Sequence, residues 1–89
     1  MTIWKFPIKT TDVQKVKMPQ GAQILCVQVQ HDTPCLWALV HGPNSRAKER
    51  LIRIFGTGHE VEFPSGLVYI GTYQMQGGAL VFHVFEDQA

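Results

Sequence analysis

The chain has 89 residues, 45% of them hydrophobic and 17% charged, and eight Lys and Arg against seven Asp and Glu give a net charge of +1. That length has room for one hydrophobic core and excludes a second, so residues 1–89 read as a single domain. The near-neutral charge excludes wholesale coating of nucleic acid, which depends on neutralising many phosphates, so nucleic acid is not an expected partner.

Strand-like runs follow one another from the start. Thr2–Ile8 is the first and Asp12–Met18 a more polar second, an edge strand guarded by Lys15 and Lys17. Pro19-Gln20-Gly21 supplies turn chemistry. Gln23–Gln30 then alternates, with Leu25, Val27 and Val29 on one face and Cys26, Gln28 and Gln30 on the other. His31-Asp32-Thr33-Pro34 reads as a four-residue turn joining this strand to Cys35–His41 in an antiparallel hairpin. In the second strand Leu36, Ala38 and Val40 share one face, and Trp37, Leu39 and His41 the other. After Gly42-Pro43-Asn44, Ser45 is placed to cap one short helical turn through Arg46–Arg50.

Glu49–Phe55 returns to the β pattern, with Ile52 and Ile54 opposite Leu51, Arg53 and Phe55. Gly56-Thr57-Gly58 interrupts it, and His59–Phe63 reads as a short strand closed by Pro64-Ser65-Gly66. Leu67–Met75, the Gln76-Gly77-Gly78 turn and Ala79–Phe85 make the clearest hairpin, with Val81, His83 and Phe85 opposite Leu80, Phe82 and Val84. Short strands with turn signals every ~8–12 residues predict an all-β fold: a small antiparallel sandwich or barrel-like sheet of six to eight strands, with at most one short helix. A core this small favours a homo-oligomer, dimer or tetramer, that buries part of its apolar surface between subunits.

No apolar run reaches the ~18 residues of a membrane span. Met1–Pro7 lacks the charged start and the apolar stretch of about 7–15 residues that mark a signal peptide. The expectation is a cytoplasmic protein with no membrane partner. Cys26 and Cys35 sit in apolar runs and read as reduced structural residues.

Candidate chemistry concentrates at Gly56-Thr57-Gly58-His59. Glycines bare the backbone N–H groups to an anion, and they also make tight bends. The segment is neither a phosphate-binding Walker loop nor a dinucleotide fingerprint, since the required lysine and helix are missing. His31 falls in a turn and His83 reads as a partly buried histidine with one hydrogen-bond partner. Metal-ligand spacing is absent, so no metal and no cofactor is expected. Neither Ser45 nor Ser65 sits in a nucleophile elbow, which leaves no catalytic residue to assign. Trp4, Trp37, Tyr69 and Tyr73 offer stacking faces, although aromatics of this kind equally fill a core. Arg46, Lys48, Arg50 and Arg53 offer phosphate contacts, and Thr57 and Thr72 neutral hydrogen bonds. The expected ligand-binding set is therefore Gly56, Thr57, Gly58 and His59, with Arg46, Arg50 or Arg53 for charge and Trp37 or Tyr73 for stacking.

Six segments in order carry a family likeness: Met18–Ala22, Leu25–Gln30, Cys35–Val40 with Trp37-Ala38-Leu39-Val40, Phe55–His59, Tyr69–Thr72, and His83-Val84-Phe85-Glu86. Together they span nearly the whole chain and resemble a family of small, β-rich phage and prophage proteins of unknown function. The resemblance implies a phage accessory protein in the bacterial host cytoplasm. It transfers no catalytic motif. By analogy of kind it is similar to small, oligomeric phage proteins that sequester cyclic nucleotide immune signals without hydrolysing them. The expected function is such an anti-defence sponge for a cyclic dinucleotide or related ligand, not an enzyme. The alternatives are a protein-binding inhibitor of a host enzyme, a virion module, and a small nucleotide hydrolase using His59 with Glu60 or Glu62.

Overall fold

The structure is a computed structural model and describes residues 1–62 and 65–89. Among these residues seven strands form two antiparallel sheets. They are β1 (Thr2–Pro7), β2 (Val13–Pro19), β3 (Gln23–Gln30), β4 (Thr33–Val40), β5 (Ala47–Gly56), β6 (Leu67–Met75) and β7 (Leu80–Asp87). One sheet has the order β1-β4-β3 and the other β2-β5-β7-β6. The two stay open, as a sandwich rather than a barrel, which is the expected all-β architecture.

Alternation explains how the layers meet. Leu36, Ala38 and Val40 of β4 face Met18, Ile52, Ile54 and Val84 of the other sheet, and all of them are buried. Val27 of β3 and Tyr73 of β6 complete this core. The sheets come closest where β3 crosses β6. A Cβ on Gly71 would lie 2.8 Å from Val27 Cγ1, so only glycine permits this approach without a shift.

The β3–β4 turn is tighter than expected. Gln30 pairs with Thr33 and Val29 with Pro34, leaving His31 and Asp32 as a two-residue loop with φ of 51° and 63°. Positive φ at both central residues matches the right-handed twist of a hairpin, and Asp tolerates it better than most residues. Pro34 thus lies inside β4, where its carbonyl accepts the Ile8 amide at 2.9 Å.

Three further expectations are corrected. Ala47–Arg50 is strand, not helix: it pairs with Pro19–Val16 of β2, and a ladder shared with an existing edge outweighs one isolated helical turn. Ser45 instead closes a turn, its amide donating to Gly42 O at 2.9 Å. Residues 59–62 form no strand, and Phe63, the last residue of that expected strand, lies outside the described residues, as does Pro64 of the turn expected to close it. Finally, a bulge between Ile24 and Cys26 leaves Leu25 as the extra residue of β3, 43% exposed rather than aligned with Val27.

Both cysteines are free. Cys26 lies opposite Trp37 and Cys35 opposite Gln28, so the two thiols sit at different registers of the hairpin. No helix among the described residues is long and apolar enough to cross a membrane.

Candidate functional site

The four-stranded sheet has one face sealed against its partner and one open to solvent. Its open face is built by the odd positions of β5 and β7: Leu51, Arg53 and Phe55 alternate with core residues, and so do Val81, His83, Phe85 and Asp87. The register brings Tyr69 opposite Phe85, Phe85 opposite Arg53, and His83 between Thr72 and Phe55. Phe85 makes edge contacts with Phe55 and Tyr69, at centroid distances of 5.8 and 5.5 Å. Tyr69 is 58% exposed, a large value for an aromatic in a regular strand. A row of three aromatic rings therefore runs across β6, β7 and β5 on the solvent side.

A chain of hydrogen bonds crosses the same face. Tyr69 Oη meets Thr72 Oγ1 at 2.6 Å, Thr72 Oγ1 meets His83 Nδ1 at 3.0 Å, and His83 Nε2 meets Thr57 Oγ1 at 2.7 Å. Thr57 Oγ1 also donates to Val81 O at 3.4 Å. One assignment satisfies every link. Tyr69 donates to Thr72, Thr72 to Nδ1, and a neutral His83 donates from Nε2–H to Thr57. The network fixes the imidazole and ties the Gly-Thr-Gly segment to the middle of the sheet. His83 thus has two hydroxyl partners in place of the single one expected.

The glycine segment is a turn in its own right. His59 N donates to Gly56 O at 3.1 Å, and Gly58 takes φ of 90° at the third position, as a type II turn requires. Thr57 N donates to Val81 O at 3.1 Å. Two of the amides on which an anion cradle would depend are therefore spent inside the protein. The His59 ring covers Gly56, where a Cβ would come within 3.2 Å of it. An open cleft beside the turn is lined by Asp12, Arg53, Phe55, His59, Glu60 and Glu62. Its three carboxylates disfavour a phosphate at that spot.

The expected site residues fall into two groups. Thr57, with Gly56, Gly58 and His59, adjoins the open face, and Arg53 lies on it, its Nε donating to Asp87 Oδ2 at 2.7 Å. That contact holds the Asp87 carboxyl below its ordinary pKa. The other four residues are elsewhere. Trp37 is on the outer face of the three-stranded sheet, opposite Lys5 and Cys26. Tyr73 is buried, packs on Phe82 at 5.4 Å, and bonds Thr10 Oγ1 at 2.7 Å. Burial raises its pKa, the Thr10 hydrogen bond only partly opposing this. Arg50 points to the inner face, where it grips Glu86 through Nε and Nη2 and donates from Nη1 to Ala22 O at 2.7 Å. The Arg50 hydrogen bond, against the desolvation of burial, lowers the Glu86 pKa. Arg46 precedes β5, at the opposite end of that strand from the glycine turn.

Sequence reasoning underweighted Phe55, Phe85 and His83. The signal was present in their shared parity, since all three fall on the face opposite Ile52, Ile54 and Val84. Among the described residues no cluster of three His, Cys, Asp or Glu could hold a metal.

Neither the curated proteins nor the solved structures include a significant match to this chain. A family model does match, over residues 1–89. The chain belongs to the family described as a domain of unknown function, DUF7352.

Proposed function

We propose that this protein is a non-catalytic binding domain that holds a nucleotide on the open face of its four-stranded sheet. The observation that carries this reading is the row Tyr69–Phe85–Phe55, three aromatic rings side by side on the solvent face of adjacent strands, with Tyr69 exposed and Phe85 and Phe55 half-buried. Four-stranded antiparallel sheets with aromatics so placed stack bases in known RNA-binding modules, each base–aromatic contact contributing about 1–3 kcal/mol. Thr72 and Thr57 each keep an acceptor lone pair for a base edge or a sugar hydroxyl, and His83, with both ring nitrogens engaged, holds the two hydroxyls in place. Lys15 of β2, beside Leu51, supplies positive charge for phosphate, and Arg53, held by Asp87 through Nε, has remaining N–H groups to add to a phosphate on the side away from the acidic cleft.

The resemblance to phage proteins favours a cyclic nucleotide of bacterial antiviral defence as the ligand, held intact in the infected cytoplasm. This reading moves the stacking role from Trp37 and Tyr73 to Tyr69, Phe55 and Phe85. It keeps Thr57 and Arg53, and it leaves Arg50 to structure. The second reading, a protein-binding inhibitor, rests on the opposite surface, where Ile3 is 60% exposed beside Trp37 and Leu39.

The test is a ¹H–¹⁵N NMR titration with cyclic di-AMP, cyclic di-GMP, cyclic GMP–AMP and the mononucleotides. Shifts centred on Tyr69, His83 and Phe85 support the proposal. No shift with any of them sinks it in favour of a protein partner. Mass analysis of ligand released by heating then separates holding from turnover, since a cleaved product indicates a hydrolase.

A further inference from the structure

Each sheet ends in two edge strands, and among the described residues three of the four are guarded. An edge strand offers unpaired N–H and C=O groups to any other strand, and proteins block this with lysines, bulges or covering elements. β2 presents Lys15 and Lys17. β3 and β6 are each broken by a bulge, Ile24/Cys26 and Tyr69/Gly71, and they pack on one another where Gly71 meets Val27. β1 has no bulge, and its one proline, Pro7, closes the strand rather than interrupting it. It pairs without a register shift along Thr2–Pro7 and carries one charged side chain, Lys5. That lysine reaches over β4 to Gln30 Oε1 at 2.8 Å, away from the free edge.

The same strand exposes apolar side chains on both of its faces. Ile3 is 60% exposed on the outer face and Trp4 37% on the face toward the other sheet. In a central strand two such positions would be covered. On β1 they are not.

We infer that β1 pairs, antiparallel, with β1 of a second copy, centred on Trp4, so that the three-stranded sheets join into one of six strands. Register follows from geometry. Directly opposite residues lie on the same face, so a two-fold axis must pass through a residue paired with itself. Centring on Lys5 would set two like charges opposite each other, which is destabilising. Centring on Trp4 pairs Thr2–Phe6 and leaves Pro7, which has no N–H to offer, outside the ladder: Thr2 lies opposite Phe6, Ile3 opposite Lys5, and the two Trp4 rings meet. Lys5 then faces an aliphatic side chain, and Trp4 is covered by its own copy. A strand from an unrelated protein could use the same backbone groups. The absence of any other charge on β1 and the self-avoiding position of Lys5 favour a second copy.

Light scattering should therefore give twice the 10.0 kDa of one chain at micromolar concentration. Two substitutions at Ile3, an exposed site where folding tolerates change, read the register. Ile3→Lys sets a second lysine opposite Lys5 at two symmetric places and should weaken the dimer about tenfold. Ile3→Glu creates two opposite-charge pairs and should tighten it. Trp4→Cys should give a disulfide-linked dimer on mild oxidation, because paired backbone positions lie within disulfide reach, whereas wild type with Cys26 and Cys35 should not. A monomeric wild type would overturn the inference. So would a dimer on which the two Ile3 variants act alike, or one that Trp4→Cys fails to cross-link.

Discussion

The two faces of the four-stranded sheet use the same chemical parts to different ends. Each carries an arginine–carboxylate pair across β5 and β7, a tyrosine of β6 in contact with a phenylalanine of β7, and a threonine hydroxyl on that tyrosine. On the inner face Arg50 and Glu86 are largely buried, and Ala22 O takes a further donor from the guanidinium. Tyr73 is sealed against Thr10. On the outer face Arg53, Tyr69 and His83 remain in reach of solvent. Burial makes the inner set structural, because a charge left without its partner there has no water to replace it. Exposure makes the outer set cheap to alter and available to a ligand.

Breaking the inner pair should have the largest effect. Glu86→Ala strands the Arg50 guanidinium and should lower the unfolding free energy by about 3–5 kcal/mol in urea titration. A loss below 1 kcal/mol would erase the distinction between the faces. The pH dependence follows from the same pair. Because Arg50 lowers the Glu86 pKa in the folded state, its contribution is full above the ordinary glutamate value and declines as pH falls through the lowered one. Thermal melts of wild type should therefore drop on acidification in a region where Glu86→Gln is flatter.

Next in size is the outer aromatic row. Tyr69→Ala and Phe55→Ala should each weaken a confirmed nucleotide by about 1–3 kcal/mol in titration calorimetry. Tyr69→Ala should leave unfolding within about 0.5 kcal/mol of wild type. The converse pattern, stability lost and binding kept, would make the row a packing feature. Tyr73→Phe removes one part-buried hydrogen bond and should cost about 1 kcal/mol of stability, with binding unchanged. The smallest effect belongs to Asp87→Asn, because the Arg53 side chain of that pair is 29% exposed and water can replace part of the lost contact, so the melting temperature should fall much less than for Glu86→Ala.

Much of the fold was legible. Period-two alternation in Cys35–His41 and Ala79–Phe85 identified strands and their faces, and Gln76-Gly77-Gly78 marked the last hairpin. Local pairs of this kind need only the chain's own periodicity and turn chemistry. Where a strand's partner was distant in sequence, the reading slipped. Arg46–Arg50 looked helical because the edge that Ala47–Arg50 pairs with, β2, is 28 to 34 positions away.

The site shows the same boundary. The sequence established that Phe55, His83 and Phe85 share a parity, and that Tyr69 and Tyr73 are aromatic in one strand. Parity alone would place those two tyrosines on a single face, but the bulge between Tyr69 and Gly71 turns one to solvent and the other to the core. Alternation says that two faces differ without saying which one meets the other sheet, and Ile52, Ile54 and Val84 are no more apolar than Phe55 and Phe85. Only the packing of the two sheets, through contacts between residues far apart in the chain, buried one face and left the aromatic one in water.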